Sequence, residues 1–188
     1  MYSVYLQLDV DQNGMLSPSE LAAFPGRLYT PSFVARLFQE CNTYASAEGE
    51  AGEGGGVEEI DYKTYLDLVL ASEHPASEPS LRFFFKLLDA EHKGWLGRRD
   101  VLFFHAQVQE RLAGLGHDTV DAANVADEVF DMVAPARPGR ITLADLRRCR
   151  MGALVCGVLL DAVAFVAYDR REEIKCQGGA APFEEEEA

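Results

Sequence analysis

The sequence predicts an all-α protein made of helix–loop–helix units whose loops are paired by short strands. Three observations lead to this prediction. A twelve-residue stretch, Asp9–Glu20, spaces oxygen-bearing side chains around a glycine, and Asp89–Asp100 repeats the same glycine and apolar spacing. Apolar residues recur at helical spacing on either side of these stretches. The chain has 188 residues, 48% of them hydrophobic, which is enough to bury a core.

The first stretch has the composition of a calcium loop of the EF-hand type. Ca²⁺ prefers about six to eight oxygen ligands, supplied from loop positions 1, 3, 5, 7, 9 and 12, with glycine at position 6 for a sharp turn. Gly14 stands at position 6, and Leu16 stands at position 8, where paired loops place an apolar strand residue. The predicted metal ligands are Asp9, Asp11, Asn13, the Met15 carbonyl, Ser17 and Glu20.

The second half of this loop also fits an ordinary helix start. Ser17 suits the N-cap, Pro18 suits the first helical position, and Glu20 completes a capping box. A simple turn would likewise contain aspartate, asparagine and glycine. Neither alternative accounts for the oxygens at positions 1, 3 and 5, so the sequence favours the EF-hand. Met1–Leu8 is its incoming helix, and the Pro-Gly pair at 25–26 is expected to end the exit helix early.

The partner of this first unit is predicted to lack ligands. Thr30 is the expected N-cap of a helix with an apolar stripe. The stripe consists of Phe33, Val34, Leu37, Phe38 and Cys41. Ser46–Gly56 is rich in Gly and Glu and is predicted to be a mobile, solvated loop. Ile60 takes the strand position, and a further helix is expected to begin near Asp61.

The second loop, Asp89–Asp100, keeps the glycine at position 6 but has damaged ligands. Lys93 places a positive charge at position 5, Gly97 offers no side chain at position 9, and Asp100 is shorter than the usual glutamate at position 12. A structural role is therefore predicted. Trp95 in this loop fits either local packing or an interface anchor.

The fourth unit has no oxygen-rich loop. A helix over Val120–Val133 leads to Ile141 as the strand residue and Thr142 as the next N-cap, and the loop between them cannot hold calcium.

The predicted boundaries are 1–71 for the first pair (loops 9–20 and about 53–64), 72–80 for a linker, 81–150 for the second pair (loops 89–100 and 134–145), 151–176 for an apolar packing segment and 177–188 for an acidic disordered tail. The proline-bearing linker is too short for free tumbling of the pairs.

Composition excludes several classes of function. The net charge of −14 disfavours nucleic acid and anionic membranes as partners. Gly152–Ala167 is apolar but is interrupted by Asp161 and is shorter than the roughly 20 residues of a membrane span, so it is predicted to be buried core or an interface. The sequence has no secretory signal pattern, and its four cysteines are predicted to be reduced. No catalytic motif is present, which indicates that the chain is not an enzyme.

Five segments resemble one known family. They are Val34–Cys41 (VARLFQEC), Glu59–Glu73 (EIDYKTYLDLVLASE), Phe85–Leu96 (FKLLDAEHKGWL), Asp127–Leu146 (DEVFDMV…RITLADL) and Leu159–Glu172 (LLDAVAF…YDRRE). Together they resemble the B″ regulatory subunits of protein phosphatase 2A, gamma type, which include the tonneau-type proteins of plants. Family members are longer at the amino end, so this chain resembles a carboxy-terminal half. The loop at 46–56 looks expanded, and Val166 stands where an aromatic residue is expected.

The resemblance implies a non-enzymatic regulatory subunit that binds Ca²⁺ through the six ligands given above. It also implies binding to the scaffold and catalytic subunits of the phosphatase and a role in substrate choice and location. The gamma type is similar to proteins of the microtubule cytoskeleton, which implies the cytoplasm, centrosome or basal body, with the nucleus also compatible. The alternative is a stand-alone calcium sensor of calmodulin or centrin type that binds amphipathic helices, although one intact loop and four Met suit it poorly.

Overall fold

Most of the described chain is helical, as the sequence predicts. The structure is a computed structural model that describes residues 1–45, 58–117 and 120–178. The helices are α1 (Tyr2–Leu8), α2 (Pro18–Leu21), α3 (Pro31–Glu40), α4 (Tyr62–Glu73), α5 (Glu78–Leu88), α6 (Arg98–Ala113), α7 (Ala122–Val133), α8 (Leu143–Arg148), α9 (Gly152–Leu160) and α10 (Ala162–Gly178). Strands β1 (Tyr44–Ala45) and β2 (Glu58–Glu59) pair antiparallel. The predicted loop at 46–56 and nearly all of the predicted tail at 177–188 lie outside the described residues.

The first helix–loop–helix unit comprises α1, the loop 9–20 and α2. The Ser17 side chain accepts from Glu20 N while the Glu20 side chain accepts from Ser17 N, so a capping box starts α2 with Pro18 at its first turn. Helix α2 ends at Leu21, before the Pro-Gly pair at 25–26. The unit is therefore an incoming helix of two turns and a very short exit helix.

Capping residues also start the partner helices. The Thr30 hydroxyl accepts from Phe33 N at the start of α3, and the Asp61 carboxylate accepts from Thr64 N at the start of α4. Leu16 N donates to Ile60 O and Ile60 N donates to Leu16 O, both at 2.9 Å. This reciprocal bridge joins the loop 9–20 to the segment before α4, as expected for residues in the two strand positions.

The second half repeats this arrangement. Helix α4 continues to Glu73 and α5 already begins at Glu78, so the connection is four residues, 74–77, and shorter than the predicted linker. Leu96 and Ile141 exchange backbone hydrogen bonds of 2.7 and 2.9 Å, which joins the loop before α6 to the loop before α8. One buried apolar cluster runs through both halves, so the packing does not divide the chain into two separate pairs. That division stays a prediction.

The apolar segment after α8 forms the centre of this cluster. Six of the nine α9 residues are buried, and α9 contacts α5, α6, α8 and α10. Between α9 and α10, Asp161 accepts from Leu28 N at 3.0 Å and forms an ion pair with Arg27 at 3.3 Å. Thr30 N also donates to Leu160 O at 3.1 Å. Of the two alternatives for this segment, buried core and interface, the structure shows core that ties the first half to the second.

Candidate metal site

The loop 9–20 closes around the first aspartate. Gly14 has φ of +78°, a conformation that suits glycine, and its N–H donates to Asp9 Oδ2 at 3.0 Å. From α1, the Tyr5 hydroxyl donates to the Gly14 carbonyl oxygen at 2.6 Å. Burial, followed by the nearby Asp9 carboxylate, raises the pKa of Tyr5 to about 12, so its hydroxyl keeps the proton that it donates. The incoming helix thus fixes the turn that the loop requires.

Three of the predicted ligands come together. Oxygen atoms of Asp9, Asp11 and Glu20 all lie within 4.8 Å of one another. Asp9 is only 5% exposed, and its Oδ1 atom is a buried oxygen with no hydrogen-bond partner among the described residues. A buried carboxylate oxygen without a donor is costly, and a bound cation would satisfy it.

The other three predicted ligands line the same loop. Asn13 Oδ1 accepts from Met15 N at 2.7 Å, and Asn13 Nδ2 donates to Asp11 Oδ2 at 3.0 Å. Met15 is partly buried beside the bridging Leu16. The Ser17 hydroxyl donates to Glu20 Oε2 at 2.8 Å. All six predicted ligands thus lie in the loop 9–20. That they bind a metal stays a prediction.

Glu20 closes the loop from α2. Its Oε1 accepts from Val10 N at 2.8 Å, and its Oε2 accepts from Ser17 N at 2.8 Å. Burial alone would raise the pKa of Glu20, but the hydrogen bonds from Ser17 and Val10 outweigh this and lower its pKa. The side chain is thus held as a carboxylate at neutral pH, in the ionised form that a metal ligand must have.

The donor set fits a hard divalent cation. The six residues offer carboxylate, amide, hydroxyl and carbonyl oxygens, which are the ligands that Ca²⁺ takes. Zinc and copper sites usually contain histidine or cysteine, and neither residue belongs to the acidic cluster found among the described residues. The unpartnered Asp9 Oδ1 is the observation that makes this more than a group of exposed acids.

The loop 89–100 has the same turn but fills its centre with a lysine. Lys93 Nζ lies 2.9 Å from Asp100 Oδ1 and 2.7 Å from Asp100 Oδ2, and 3.2 Å from Glu91 Oε2. The ammonium also lies 4.7 Å from the centroid of the Trp95 ring, and the Arg140 guanidinium lies 4.7 Å from a centroid of the same side chain. A side-chain cation therefore already neutralises the acid at position 12.

Two residues that contact the loop 9–20 were not predicted from the sequence. Tyr5 holds the Gly14 carbonyl, and Glu59 Oε1, in β2, accepts from Asn13 Nδ2 at 3.1 Å. Tyr5 follows the helical spacing of the α1 core face, so its hydroxyl gave no separate signal. Glu59 directly precedes the bridging Ile60, and that adjacency was the one signal that could have pointed to it.

Comparisons with known proteins first show which solved structures share this fold. No protein-family model matches the chain. A PP2A PR70 holoenzyme structure, designated diCa, matches with a TM-score of 0.74 at 21% identity, covering 88% of this chain and 58% of that one. At this level of identity the match shows the fold alone, which is largely helical.

The sequence comparison finds relatives that match nearly the whole chain. The chain is 42% identical over 97% of its length to the gamma-type B″ regulatory subunit of serine/threonine-protein phosphatase 2A from Xenopus tropicalis, and 41% identical over 93% to that from Homo sapiens. It is 32% identical over 91% to the probable B″ regulatory protein TON2 of Arabidopsis thaliana. The predicted resemblance is confirmed: the chain is a homologue of the gamma-type B″ regulatory subunits. It spans about 38% of the length of the Xenopus relative.

The structure also bears on the membrane prediction. Within the described parts of the chain, none of the helices combines the length and apolar character that a membrane crossing requires. The apolar α9 has nine residues and packs against four other helices.

Proposed function

We propose that this chain is a regulatory, non-catalytic part of a protein phosphatase 2A holoenzyme. The observation that carries the proposal is the 42% identity, over 97% of the chain, to a protein named as a gamma-type B″ regulatory subunit. In this role the chain binds the scaffold and catalytic subunits and influences which substrates are dephosphorylated. The sequence motifs of an enzyme are absent, and phosphatase activity from the purified chain alone would contradict the proposal.

The experiment that tests this role is affinity purification of the tagged chain from cells, with calcium or with chelator. We expect the scaffold and catalytic subunits to be recovered. Binding of an isolated amphipathic helix, with neither subunit recovered, would instead favour the stand-alone sensor of calmodulin or centrin type. Comparing the two conditions shows whether the cation contributes to assembly.

We further propose that the loop 9–20 binds one Ca²⁺ through Asp9, Asp11, Asn13, the Met15 carbonyl, Ser17 and Glu20. Support comes from the buried, unpartnered Asp9 Oδ1 and from the three carboxylates within 4.8 Å. The ion would link α1 to α2 by its contacts at the two ends of the loop. Since the loops at 89–100 and 134–145 lack a full ligand set, we expect a stoichiometry of one in calorimetric titration, and two cooperatively coupled sites would contradict this.

The location of the chain in the cell is a separate part of the proposal. We propose the cytoplasm, at the centrosome, basal body or microtubule cytoskeleton, which rests on the family resemblance alone. Imaging of the tagged chain together with a microtubule marker tests this. A uniform distribution that does not change when microtubules are removed would contradict it.

A further inference from the structure

The segment opposite the loop 9–20 contains a buried carboxylate without a counter-charge. Glu59 lies in β2 and is 4% exposed. None of the ion pairs among the described residues includes it. Burying a charge in this way is costly unless another group compensates for it. The packing of this strand therefore leaves open why an acid stands here rather than an apolar residue.

The Glu59 carboxylate is directed at a predicted calcium ligand. Its Oε1 accepts from Asn13 Nδ2 at 3.1 Å, and the same nitrogen donates to Asp11 Oδ2 at 3.0 Å. A primary amide has two N–H donors, so both are used on carboxylates. If the amide were turned over, its oxygen would face those two carboxylates instead.

This arrangement fixes the amide oxygen of Asn13. Oδ1 accepts from Met15 N at 2.7 Å, and a carbonyl oxygen has a second lone pair that remains available. Position 5 of the loop contributes this oxygen to the metal. The contact from β2 thus selects the orientation of the amide in which a ligand oxygen, rather than a nitrogen, can face the cation.

We propose that Glu59 is a positioning residue for cation binding in the loop 9–20. It holds the Asn13 amide in the ligating orientation, and its buried negative charge favours a cation in the adjacent loop. The inference rests on the proposed calcium site. It gives the ligand-poor partner segment a role in metal binding that its own loop composition does not suggest.

Two substitutions separate the two contributions of Glu59. Glu59→Gln can keep an acceptor for Asn13 Nδ2 but removes the charge, whereas Glu59→Leu removes both. Glu58→Gln is the matched control, because Glu58 is the exposed neighbour in the same strand, where its Oε2 accepts from Thr43 Oγ1 at 3.1 Å. Calcium affinity is measured by calorimetry on the whole chain, the melting temperature with chelator or calcium, and the Asn13 side-chain amide signals by NMR.

We expect Glu59→Leu to weaken calcium binding about tenfold or more, as substitutions next to metal ligands commonly do. Glu59→Gln should weaken it less, and Glu58→Gln should change it less than about twofold because an exposed charge is screened. In chelator, neither Glu59 variant should melt earlier than the unsubstituted chain, since an uncompensated buried charge has been removed. The Asn13 amide signals should move in the Glu59→Leu variant and not in the Glu58→Gln variant.

Three results would overturn the role of Glu59. They are unchanged affinity in both Glu59 variants, an equal loss in Glu58→Gln and Glu59→Gln, and a lower melting temperature in chelator with no change in affinity. If Glu59→Leu does not fold, the calcium affinity of Glu59→Gln, compared with that of Glu58→Gln, still shows whether Glu59 contributes to binding. Failure of the unsubstituted chain to bind calcium is a different outcome, because it removes the proposed calcium site itself.

Discussion

The loops 9–20 and 89–100 have the same backbone plan but different electrostatics, since the acids of the second loop are balanced by Lys93, Arg98 and Arg99. In both, the glycine at position 6 has φ of +78° and donates its N–H to the first aspartate, at 3.0 Å for Gly14 and 2.6 Å for Gly94. In both, the leucine at position 8 exchanges hydrogen bonds with an isoleucine of the partner segment. Capping contacts from the acid at position 12 complete the turn in each loop.

The difference lies in what neutralises the acids. In the loop 89–100, Lys93 N donates to Asp89 Oδ1 at 3.0 Å and Lys93 Nζ contacts both oxygens of Asp100. In the loop 9–20, the equivalent Asp9 Oδ1 has no partner among the described residues. In the loop 89–100 the Lys93 ammonium provides the positive charge, so this turn can form without a metal. We therefore predict that the side chains that differ between the loops, above all those at positions 5 and 12, decide whether a metal binds.

The largest expected effect comes from removing the charge at position 12 of the first loop. Glu20→Gln keeps an acceptor for only one of Val10 N and Ser17 N, because its amide nitrogen cannot accept, and it removes one of the two carboxylate oxygens that could contact the ion. At calcium about a hundredfold above Kd, a bound ion stabilises the folded chain by about 2.7 kcal/mol. We expect this calcium-dependent stabilisation, measured by urea unfolding with calcium and with chelator, to be lost.

Asp100→Asn is the control for this experiment, because it changes the same position in the other loop. It should leave the calcium-dependent part of the stability unchanged, whatever it does to the stability in chelator. Equal losses in the two variants would show that the loops do not differ as their side chains indicate.

The loop at 134–145 stabilises its acid at position 12 in a third way. Substituting this acid, Asp145, is expected to have the next largest effect. Asp145 accepts from Ala136 N at 3.1 Å and Thr142 N at 3.0 Å, and lies 2.7 Å from Arg148. Burial alone would raise its pKa, but the hydrogen bonds from Thr142 and Ala136, together with Arg148, lower its pKa to about 2. A depressed pKa of this size corresponds to about 2 kcal/mol of stability at neutral pH.

Asp145→Asn should therefore destabilise the chain by about 2 kcal/mol at pH 7, because an amide places donors against backbone N–H groups. The folded state favours the ionised form, so this contribution is complete above the ordinary carboxyl pKa and disappears as the pH falls through about 2. Urea unfolding at several pH values should show the difference shrinking below about pH 4. Asp131→Asn, at an exposed site, is the control. A difference that stays constant down to acidic pH would rule out this account.

The sequence predicted the local parts of these loops well. Caps such as Thr30 and Thr142 depend on residues three positions away, and the bridging positions follow from the loop template. Other contacts between distant segments were not predictable. Asp161 Oδ1 accepts a hydrogen bond from Leu28 N, which is distant in sequence, and no pattern near either residue indicates this contact. Glu59 was likewise hidden, because an acid in a two-residue strand gives no sign of facing inward.

The smallest expected effect is a gain of binding in the second loop, and it tests the comparison most directly. Lys93→Asn combined with Asp100→Glu removes the tethered ammonium and restores an oxygen at position 5 and a longer acid at position 12. Gly97 is left unchanged, since a Cβ there would lie 2.9 Å from Trp95 Cζ3, so position 9 would depend on water.

We expect this double variant to bind a second Ca²⁺ more weakly than the first, with the calorimetric stoichiometry rising from one to two. At calcium about tenfold above the second Kd, the added stability would be about 1.4 kcal/mol. Lys93→Ala alone is the control and should bind one ion, because it removes the ammonium without adding ligands. A stoichiometry of one in the double variant would mean that the shared turn is not sufficient. The geometry around Asp9, including the Tyr5 contact to Gly14, would then be what separates the two loops.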